Sequence, residues 1–472
     1  MLLAGDYAYK IKKPVELGFL DFRTLAARKR YCDEELRLNR RTAPALYLDV
    51  VPITGTAADP FLAGAGPAIE YAVRMRRFAQ EDLLDRMARR GALDAPLVDR
   101  LARAIAAFHE AAAVAAADSP FASPQRIAAL ALDNFDDIER RLGAASPESA
   151  RLEALRAWTQ AELARLGPVF GERKRAGRVR ECHGDLHLGN IARIAGEPVP
   201  FDCIEFSDEL RWNDVMGELA FLVMDLLDHG LPRLAFRCLD AYLGASGDYA
   251  GLAVLRHYLV YRAMVRAKIA CIRGDPTEHV EYLSLAERLT RLGRPALVLM
   301  QGVAGSGKTT VAQKLLEEIG AVRIRSDVER KRLFGLGADA RSASSLGGGI
   351  YSEEATRRTY GRLLELAGAV ASAGWPAIVD ATFLRREERE RFRAFAHDWG
   401  IPFAVVACEA PPEALRERVA RREREARDAS EAGLAVLERQ MAEREDFSSQ
   451  EMPFVLKAEQ ADKNLQAFLW KP

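Results

Sequence analysis

The sequence predicts a two-domain protein in which an α+β domain is followed by an α/β domain. Three observations support this prediction. Residues up to 80 carry mainly strand patterns, residues 81–292 carry mainly helical patterns, and residues 293–472 alternate strand and helix around a glycine-rich loop. We therefore expect one domain at 1–292, made of a small β lobe and a large helical lobe, and a parallel α/β sandwich at 293–472.

The composition is that of a globular protein without a charge bias. Lys plus Arg and Asp plus Glu are both 68, so the net charge is zero, which argues against a broad nucleic-acid or membrane surface. The sequence shows neither an apolar run of membrane-spanning length nor a leader pattern, and its six cysteines form no CxxC pair. We therefore expect a cytoplasmic protein with reduced thiols and no membrane partner. The oligomeric state stays open.

Periodicity places the individual elements. The first domain is predicted to contain strands at 7–13, 46–53 and 68–78 and helices at 24–39, 92–117, 125–142, 147–166, 214–228, 252–272 and 279–292. The second is predicted to contain strands at 296–300, 322–325, 377–380 and 403–408 and helices at 311–319, 352–373, 385–399 and from 412.

The loop at 302–309 fits the pattern GxxxxGK[ST] at every fixed position. Its glycines allow backbone N–H groups to face phosphates at a helix N-terminus. Lys308 can then reach the β- and γ-phosphates, and the Thr309 hydroxyl can bind magnesium. The alternative is a strand-to-helix turn without a ligand. The residues predicted to bind ATP, or GTP, with Mg²⁺ are Gly302, Gly305, Ser306, Gly307, Lys308, Thr309 and Thr310.

Two carboxylates follow predicted strands of the second domain, where a parallel sheet binds ligands. Asp327 can take the proton of an acceptor hydroxyl, and Arg330 one turn later can hold a phosphate. The alternative for Asp327 is a helix N-cap. Asp380 fits a carboxylate that holds magnesium or water, a residue that contacts the substrate, or a turn residue at a strand end.

The run 415–427 is rich in arginine. It could be a solvated helix with i,i+4 ion pairs, or a lid that brings Arg418 and Arg422 to the developing charge. A glycine-rich loop at 342–349 could close over an acceptor.

The segments GVAGSGKTT, SDVER and IVDAT make residues 295–472 resemble the polynucleotide-kinase-like and zeta-toxin-like phosphate-loop phosphotransferases. The resemblance implies transfer of a phosphoryl group to a hydroxyl, either of a small molecule or at a nucleic-acid 5′ end.

The helical lobe contains HGDLHLGN at 183–190, followed by FDCIEF at 201–206. An Asp five residues before an Asn, with a second Asp on a predicted strand, suits phosphoryl transfer. We expect Asp185 to be the base, and Asn190 and Asp202 to bind magnesium.

HGDLHLGN resembles the catalytic loop of aminoglycoside phosphotransferases, which are small-molecule kinases related to protein kinases, and the resemblance covers about residues 1–290. It implies a protein-kinase-like fold and a nucleotide-anchoring lysine, Lys10 or Lys12, paired with Glu34 or Glu35. We prefer Lys10 and Glu35.

Two departures from the family pattern keep other interpretations open. The strands and the phosphate-covering loop that precede the lysine strand in this family are expected to be absent. The Gly-Asp-Pro that often follows the metal-binding Asp in these kinases is replaced around 213–214. The first domain is therefore either an active kinase or a degenerate ligand-binding lobe. The pairing of both domains resembles bacterial fused phosphotransferase and ATP-binding proteins. Three functions follow: a bifunctional phosphotransferase, a single phosphate-loop kinase with a regulatory first domain, or an ATPase switch that controls partner binding.

Overall fold

The computed structural model describes residues 1–17, 20–143, 146–338, 340, 342, 348–425 and 432–469. The chain forms two compact units. The first unit comprises Met1–Leu231 and Val254–Thr290, and the second comprises Pro232–Ala253 and Arg291–Pro472. Most of the loop predicted at 342–349 and the end of the arginine-rich run lie outside the described residues. No described helix is long and apolar enough to cross a lipid bilayer.

The described strands up to residue 290 are β1 (Leu2–Ala4), β2 (Tyr7–Ile11), β3 (Glu16–Leu17), β4 (Leu20–Asp21), β5 (Tyr47–Gly55), β6 (Pro60–Leu62), β7 (Glu70–Arg76), β8 (Val179–Glu181), β9 (Ile191–Ile194), β10 (Glu197–Pro200) and β11 (Trp212–Asp214). The α-helices are α1 (Leu25–Asn39), α2 (Leu84–Arg89), α3 (Ala95–Ala111), α4 (Pro124–Leu142), α5 (Ser149–Arg175), α6 (Asp208–Arg211), α7 (Val215–Asp228), α8 (Pro232–Ser246), α9 (Leu252–Arg273) and α10 (Pro276–Thr290).

The small lobe of the first unit is an antiparallel sheet with α1 packed on it. The strands are ordered β1, β2, β7, β5 and β6. Helix α1 begins behind Thr24, whose hydroxyl accepts the Ala27 N–H and so caps the helix. Cys32 from α1 packs in one core cluster with Ala8 and Val73 of the sheet. This packing holds the adjacent turn of α1, which carries Glu35, against the lysine strand β2.

The large lobe is built from helices around α7. Residues 215–226 of α7 are buried without interruption, as expected for a helix that is apolar all round. Helix α5 extends to Arg175, beyond the predicted end at 166, although Pro168 lies inside it. The buried Phe170 packs against the rings of His257 and Tyr258. Tertiary packing therefore outweighs the local penalty of about 3 kcal/mol for proline in a helix.

After residue 290 the described strands are β12 (Ala296–Gln301), β13 (Val322–Arg325), β14 (Pro376–Asp380), β15 (Phe403–Ala407) and β16 (Val455–Lys457). The α-helices are α11 (Lys308–Ile319), α12 (Ser326–Leu333), α13 (Glu353–Ser372), α14 (Arg386–Asp398), α15 (Pro412–Glu425), α16 (Leu434–Glu443) and α17 (Ala458–Leu469). All pairings in this sheet are parallel, in the order β13, β14, β12, β15, β16. The α+β and α/β fold class is therefore confirmed.

Helix α8 lies within the stretch 1–292, yet it belongs to the second unit. Its Asp240 binds Arg323 of β13 at 2.7 Å. The ring of Phe236 lies 6.5 Å from the ring of Trp375. It also packs against Gly320, where an added Cβ would lie 2.7 Å from the Phe236 ring. The second unit thus includes a helix that precedes its phosphate loop by more than fifty residues.

Candidate active sites

The phosphate loop joins β12 to α11, and its glycines hold conformations that other residues rarely adopt. Gly302, Gly305 and Gly307 have φ values of 151°, 79° and 92°. A Cβ at Gly302 would lie 2.5 Å from the Cys408 carbonyl oxygen, and one at Gly305 would lie 3.0 Å from that of Leu415. Gly307 is the N-cap of α11 and has open space beside it. The loop therefore leaves room at the helix N-terminus, where anions bind.

The polar side chains of the loop lie around this N-terminus. Lys308 Nζ donates to the Val303 carbonyl oxygen over 3.2 Å, which places its ammonium group over the loop. The buried Ser306 hydroxyl has no hydrogen-bond partner among the described residues. Thr309 is half-buried and Thr310 is exposed. This arrangement fits a nucleotide-binding phosphate loop, and the individual roles of these residues stay predictions.

Strand register brings the acidic residues to the same edge of the sheet. Asp380, the last residue of β14, pairs with Met300 of β12 on one side and with Arg325 of β13 on the other. Gly302 and Asp327 each lie two residues beyond those partners. Asp380 is 5% exposed. Asp327 is in the first turn of α12, whose N-cap is Arg325, so the structure does not use Asp327 as an N-cap.

Arg330 is buried beside Asp327 and is 8% exposed. Its Nη1 donates to the Ile350 carbonyl oxygen at 2.7 Å and to the Thr356 hydroxyl at 3.3 Å. Burial lowers the pKa of Arg330, while the negative charge of Asp327 opposes that shift. Part of the Arg330 guanidinium is thus already bound by protein, and its role in holding a phosphate stays a prediction.

Two further residues of this edge carried no signal in the sequence. The Tyr360 hydroxyl accepts the Phe383 N–H and lies 3.2 Å from the Thr382 hydroxyl. Burial raises the pKa of Glu388, which shares a hydrogen bond with Tyr360. Phe383 has a φ of 44°, a conformation that costs energy for a bulky residue. The segment after β14 is therefore held in one conformation beside Asp380.

The two predicted lid arginines differ in their contacts. Arg418 Nη1 donates to the Gly305 carbonyl oxygen at 3.2 Å, while Arg422 donates to that of Ala432 at 2.6 Å. Arg418 therefore touches the phosphate loop. Gln440 of α16 also touches it, because its Oε1 accepts the Ala304 N–H at 2.7 Å. An isolated glutamine gives no sequence signal, so this contact could not be predicted.

The first unit contains a cluster of two lysines and three carboxylates. Lys10 Nζ lies 2.5 Å from Asp202 and 2.9 Å from Glu35, and Lys12 Nζ lies 2.8 Å from Glu35 and also binds Glu205. Burial opposes the charge on Lys10, but Glu35 and Asp202 raise its pKa well above the usual value. Glu35 thus contacts both lysines. Glu34 instead binds Arg37 and Arg211.

The catalytic-loop residues lie together. Asn190 Nδ2 donates to the backbone oxygen of Asp185 at 2.9 Å and to its Oδ2 at 3.0 Å. Burial favours the neutral form of Asp185, but its contacts with His187 lower its pKa below the usual value. Asp202 lies two residues beyond β10 with a φ of 65°. The prediction that a strand carries Asp202 is therefore wrong, because the strand has already ended at Pro200 and a positive φ is not extended backbone.

Glu218 supports the catalytic loop from α7. One of its oxygens accepts the N–H groups of His183 and Gly184 at 2.6 and 2.7 Å, and the other contacts His109 Nε2 at 2.8 Å. Its oxygens also lie close enough to His109 and Cys182 to share a metal ion with them. Since both oxygens already bind protein groups, we interpret Glu218 as a positioning residue for the loop.

The predicted magnesium ligands offer hard oxygen atoms, which Mg²⁺ prefers. In the first unit, Asn190 uses its amide nitrogen on Asp185, which leaves its carbonyl oxygen for a metal, and Asp202 supplies a half-exposed carboxylate. In the second unit, Asp380 supplies a buried carboxylate at the end of β14. Both donor sets therefore fit the ion.

Three comparisons with known proteins extend these findings. A family described as an AAA domain matches residues 297–447, which supports a nucleotide-binding phosphate-loop domain. The structure of Mycobacterium tuberculosis APS kinase CysC in complex with AMPPNP and APS is 21% identical, covers 38% of this chain and 98% of that chain, and has a TM-score of 0.28. A choline/ethanolamine kinase family protein from Mesorhizobium loti is 14% identical, covers 61% and 83%, and has a TM-score of 0.36. Neither likeness indicates an activity for this chain.

Three mycobacterial proteins align along most of the chain. They are "Uncharacterized protein Rv2004c" and "Uncharacterized protein MT2060" of M. tuberculosis and "Uncharacterized protein Mb2027c" of M. bovis. Each is 30% identical over 430 residues, which cover 89% of this chain and 84% of the relative. The chain therefore belongs to the family of these three mycobacterial proteins.

Proposed function

We propose that the second unit is an ATP-dependent phosphotransferase that acts on a hydroxyl of a small molecule or of a nucleic-acid 5′ end. The observation that carries this proposal is the sheet register, which brings Asp380 and Asp327 to the same edge as the phosphate loop. A loop that binds a triphosphate beside a carboxylate able to accept a proton suits phosphoryl transfer better than hydrolysis by a switch protein.

In the proposed step, the acceptor oxygen attacks the γ-phosphorus and forms a new O–P bond while the bond to ADP breaks. The Asp327 carboxylate takes the hydroxyl proton. Lys308 and Arg418 face the phosphates, and Arg330 orients the acceptor. Thr309 and Asp380 would hold magnesium, which neutralises phosphate charge when bound.

The test is incubation with γ-labelled ATP and a panel of 5′-hydroxyl oligonucleotides, nucleosides, sugars and aminoglycosides. We expect label on one class of acceptor and at least a hundredfold loss with Asp327→Ala. The matched control is Asp398→Asn, which changes an exposed carboxylate of α14. Free phosphate as the only product, unaffected by any acceptor, would contradict the proposal and favour an ATPase switch.

We further propose that the first unit is a second ATP-dependent phosphotransferase, with Asp185 as base. Two contacts favour it: Lys10 binds both Glu35 and the predicted metal ligand Asp202, and Asn190 binds Asp185. Asn190 and Asp202 would hold magnesium there. Calorimetric titration should give two ATP equivalents, of which Asp202→Ala removes one, while Glu197→Gln, an exposed control, retains both. A single equivalent in the unmutated protein would contradict the second ATP site and favour the alternative, a single phosphate-loop kinase with a regulatory first unit.

A further inference from the structure

The hydroxyl group of Tyr360 connects α13, α14 and the segment that follows β14. Its oxygen accepts the Phe383 N–H at 3.2 Å and lies 3.2 Å from Thr382 Oγ1. It also shares a hydrogen bond with Glu388 of α14. Tyr360 is only 6% exposed, so its hydroxyl relies on these three partners.

The three contacts use the full hydrogen-bonding capacity of this hydroxyl. Burial raises the pKa of Tyr360, so the oxygen keeps its proton and offers one donor and two acceptor positions. The Phe383 N–H takes one acceptor position. An ionised Glu388 accepts the Tyr360 proton, and the Thr382 hydroxyl then donates to Tyr360. A protonated Glu388 reverses both directions, so all three contacts persist in either charge state of Glu388.

The peptide group between Thr382 and Phe383 carries this network to the phosphate loop. Its N–H donates to Tyr360, and its carbonyl oxygen accepts the Gly302 N–H at 3.1 Å. Because a trans peptide group is planar, its N–H and C=O point in opposite directions and can only rotate together. The Tyr360 hydroxyl therefore sets the direction of the carbonyl group that holds the first glycine of the loop.

The backbone of Phe383 is held in a conformation that a bulky residue rarely adopts. Its φ of 44° costs free energy and persists only where the surroundings enforce it. The Phe383 ring packs edge-on against the rings of Tyr360 and Phe392, with centroid distances of 5.3 and 5.0 Å. Arg389 donates to the Phe383 carbonyl oxygen at 3.1 Å. Helices α13 and α14 thus hold the strained segment together, and strain of this kind is typical of binding sites that need a fixed backbone.

We propose that Tyr360 is a positioning residue for ATP binding by the second unit, which acts on the phosphate loop through the peptide group between Thr382 and Phe383. The proposal rests on the proposed function, because it assigns ATP to this loop. With the carbonyl group of Thr382 fixed, the loop holds its binding conformation before ATP arrives. Less of the free energy of binding is then spent on ordering the loop.

The test is calorimetric titration of the full chain with ATP and magnesium. The phosphate-loop site is the ATP equivalent that Lys308→Ala removes. Tyr360→Phe keeps the packed ring and removes only the hydroxyl, and we expect it to weaken ATP binding at this site about tenfold. The matched control is Tyr249→Phe, which removes another buried hydroxyl of the second unit, one that donates to the Arg323 carbonyl oxygen. It should change the ATP affinity less than about twofold.

A second variant tests the route of the effect. Thr382→Val removes the hydroxyl that contacts Tyr360 and should weaken ATP binding about threefold. The double variant should bind ATP as Tyr360→Phe does, because both changes break the same contact. If Tyr360→Phe does not fold, Thr382→Val alone is compared with Tyr249→Phe.

Three results would overturn the proposal: an unchanged ATP affinity in the folded variant, an equal loss in Tyr249→Phe, or single losses that multiply in the double variant. Weaker ATP binding by Tyr360→Phe, in a protein whose unmutated form phosphorylates no acceptor, would support the role of Tyr360 and contradict the proposed phosphoryl transfer instead.

Discussion

Lys10 and Lys12 lie two residues apart on β2 and both bind Glu35, but we expect the loss of each charge to act differently. The Lys12 side chain is 3% exposed and holds Glu205, so Lys12→Met leaves a buried carboxylate without its cation. Breaking such a pair costs about 3–5 kcal/mol. The Lys10 side chain is 27% exposed, and Glu35 keeps Lys12 when Lys10 is lost. Lys10→Met should therefore cost only about 1 kcal/mol of stability.

The nucleotide response should be the reverse, because Lys10 is the lysine that contacts the predicted metal ligand Asp202. We expect Lys10→Met to weaken ATP binding by the first unit about tenfold or more. Urea unfolding and calorimetric titration of both variants measure the two effects. Lys29→Met, which removes an exposed pair with Asp33, should change neither. A Lys12→Met protein as stable as the unmutated one, with a strongly destabilised Lys10→Met protein, would refute this reasoning.

Three other predictions concern stability and the phosphate loop. Burial lowers the pKa of His257 from 6.5 to about 4. As the pH falls below 6.5, the unfolded chain therefore binds a proton at this residue before the folded chain does. The free energy of unfolding should fall by about 3 kcal/mol between pH 6.5 and pH 4. Urea midpoints at pH 7 and 4.5 should show this loss, and His257→Phe should reduce it. Gln440→Ala removes the hydrogen bond to Ala304, so it should lower the stability of the second unit by about 1 kcal/mol and weaken its nucleotide binding. Arg439→Ala, on the solvent side of α16, should do neither. Unchanged melting and titration curves for Gln440→Ala would contradict this prediction. Asp240→Ala leaves the buried Arg323 without its ion pair and should lower the free energy of unfolding in urea by about 3 kcal/mol. A loss below about 1 kcal/mol would show that the hydrogen bonds of Arg323 to Gln313 and to the Thr309 carbonyl oxygen are enough to hold its charge.

Features that depend on neighbouring residues could be predicted from the sequence. The phosphate loop is contiguous, and its glycines at 302, 305 and 307 have the positive φ values that make glycine necessary there. The parallel sheet followed from strand–helix alternation. The contact between Lys10 and Glu35 was also predicted from the resemblance, but strand alternation cannot show that Lys12 reaches the same carboxylate.

Features that depend on distant residues could not be predicted. Gln440 is 136 positions from Ala304, and Glu218 is 34 positions from Gly184. Helix α8 has a helical spacing of apolar residues at 235, 236, 239 and 243, so its existence could have been predicted from periodicity. Its place in the second unit depends on the pairing of Asp240 with Arg323, 83 positions away, which no local pattern reveals.

The two candidate sites differ in what a nucleotide must displace from the lysine that would bind its phosphates. Lys308 donates to one neutral carbonyl oxygen over 3.2 Å, a contact that a triphosphate replaces at little energetic cost. Lys10 is bound by two carboxylates, which hold its charge and also repel phosphate oxygens. We infer that the phosphate loop binds ATP more tightly than the kinase-like site does. Chelation of magnesium should weaken ATP binding at the kinase-like site more than at the phosphate loop, because the negative charge of Asp202 would then face the phosphates without the metal ion. Equal affinities in the two-site titration, with and without a chelator, would contradict this inference.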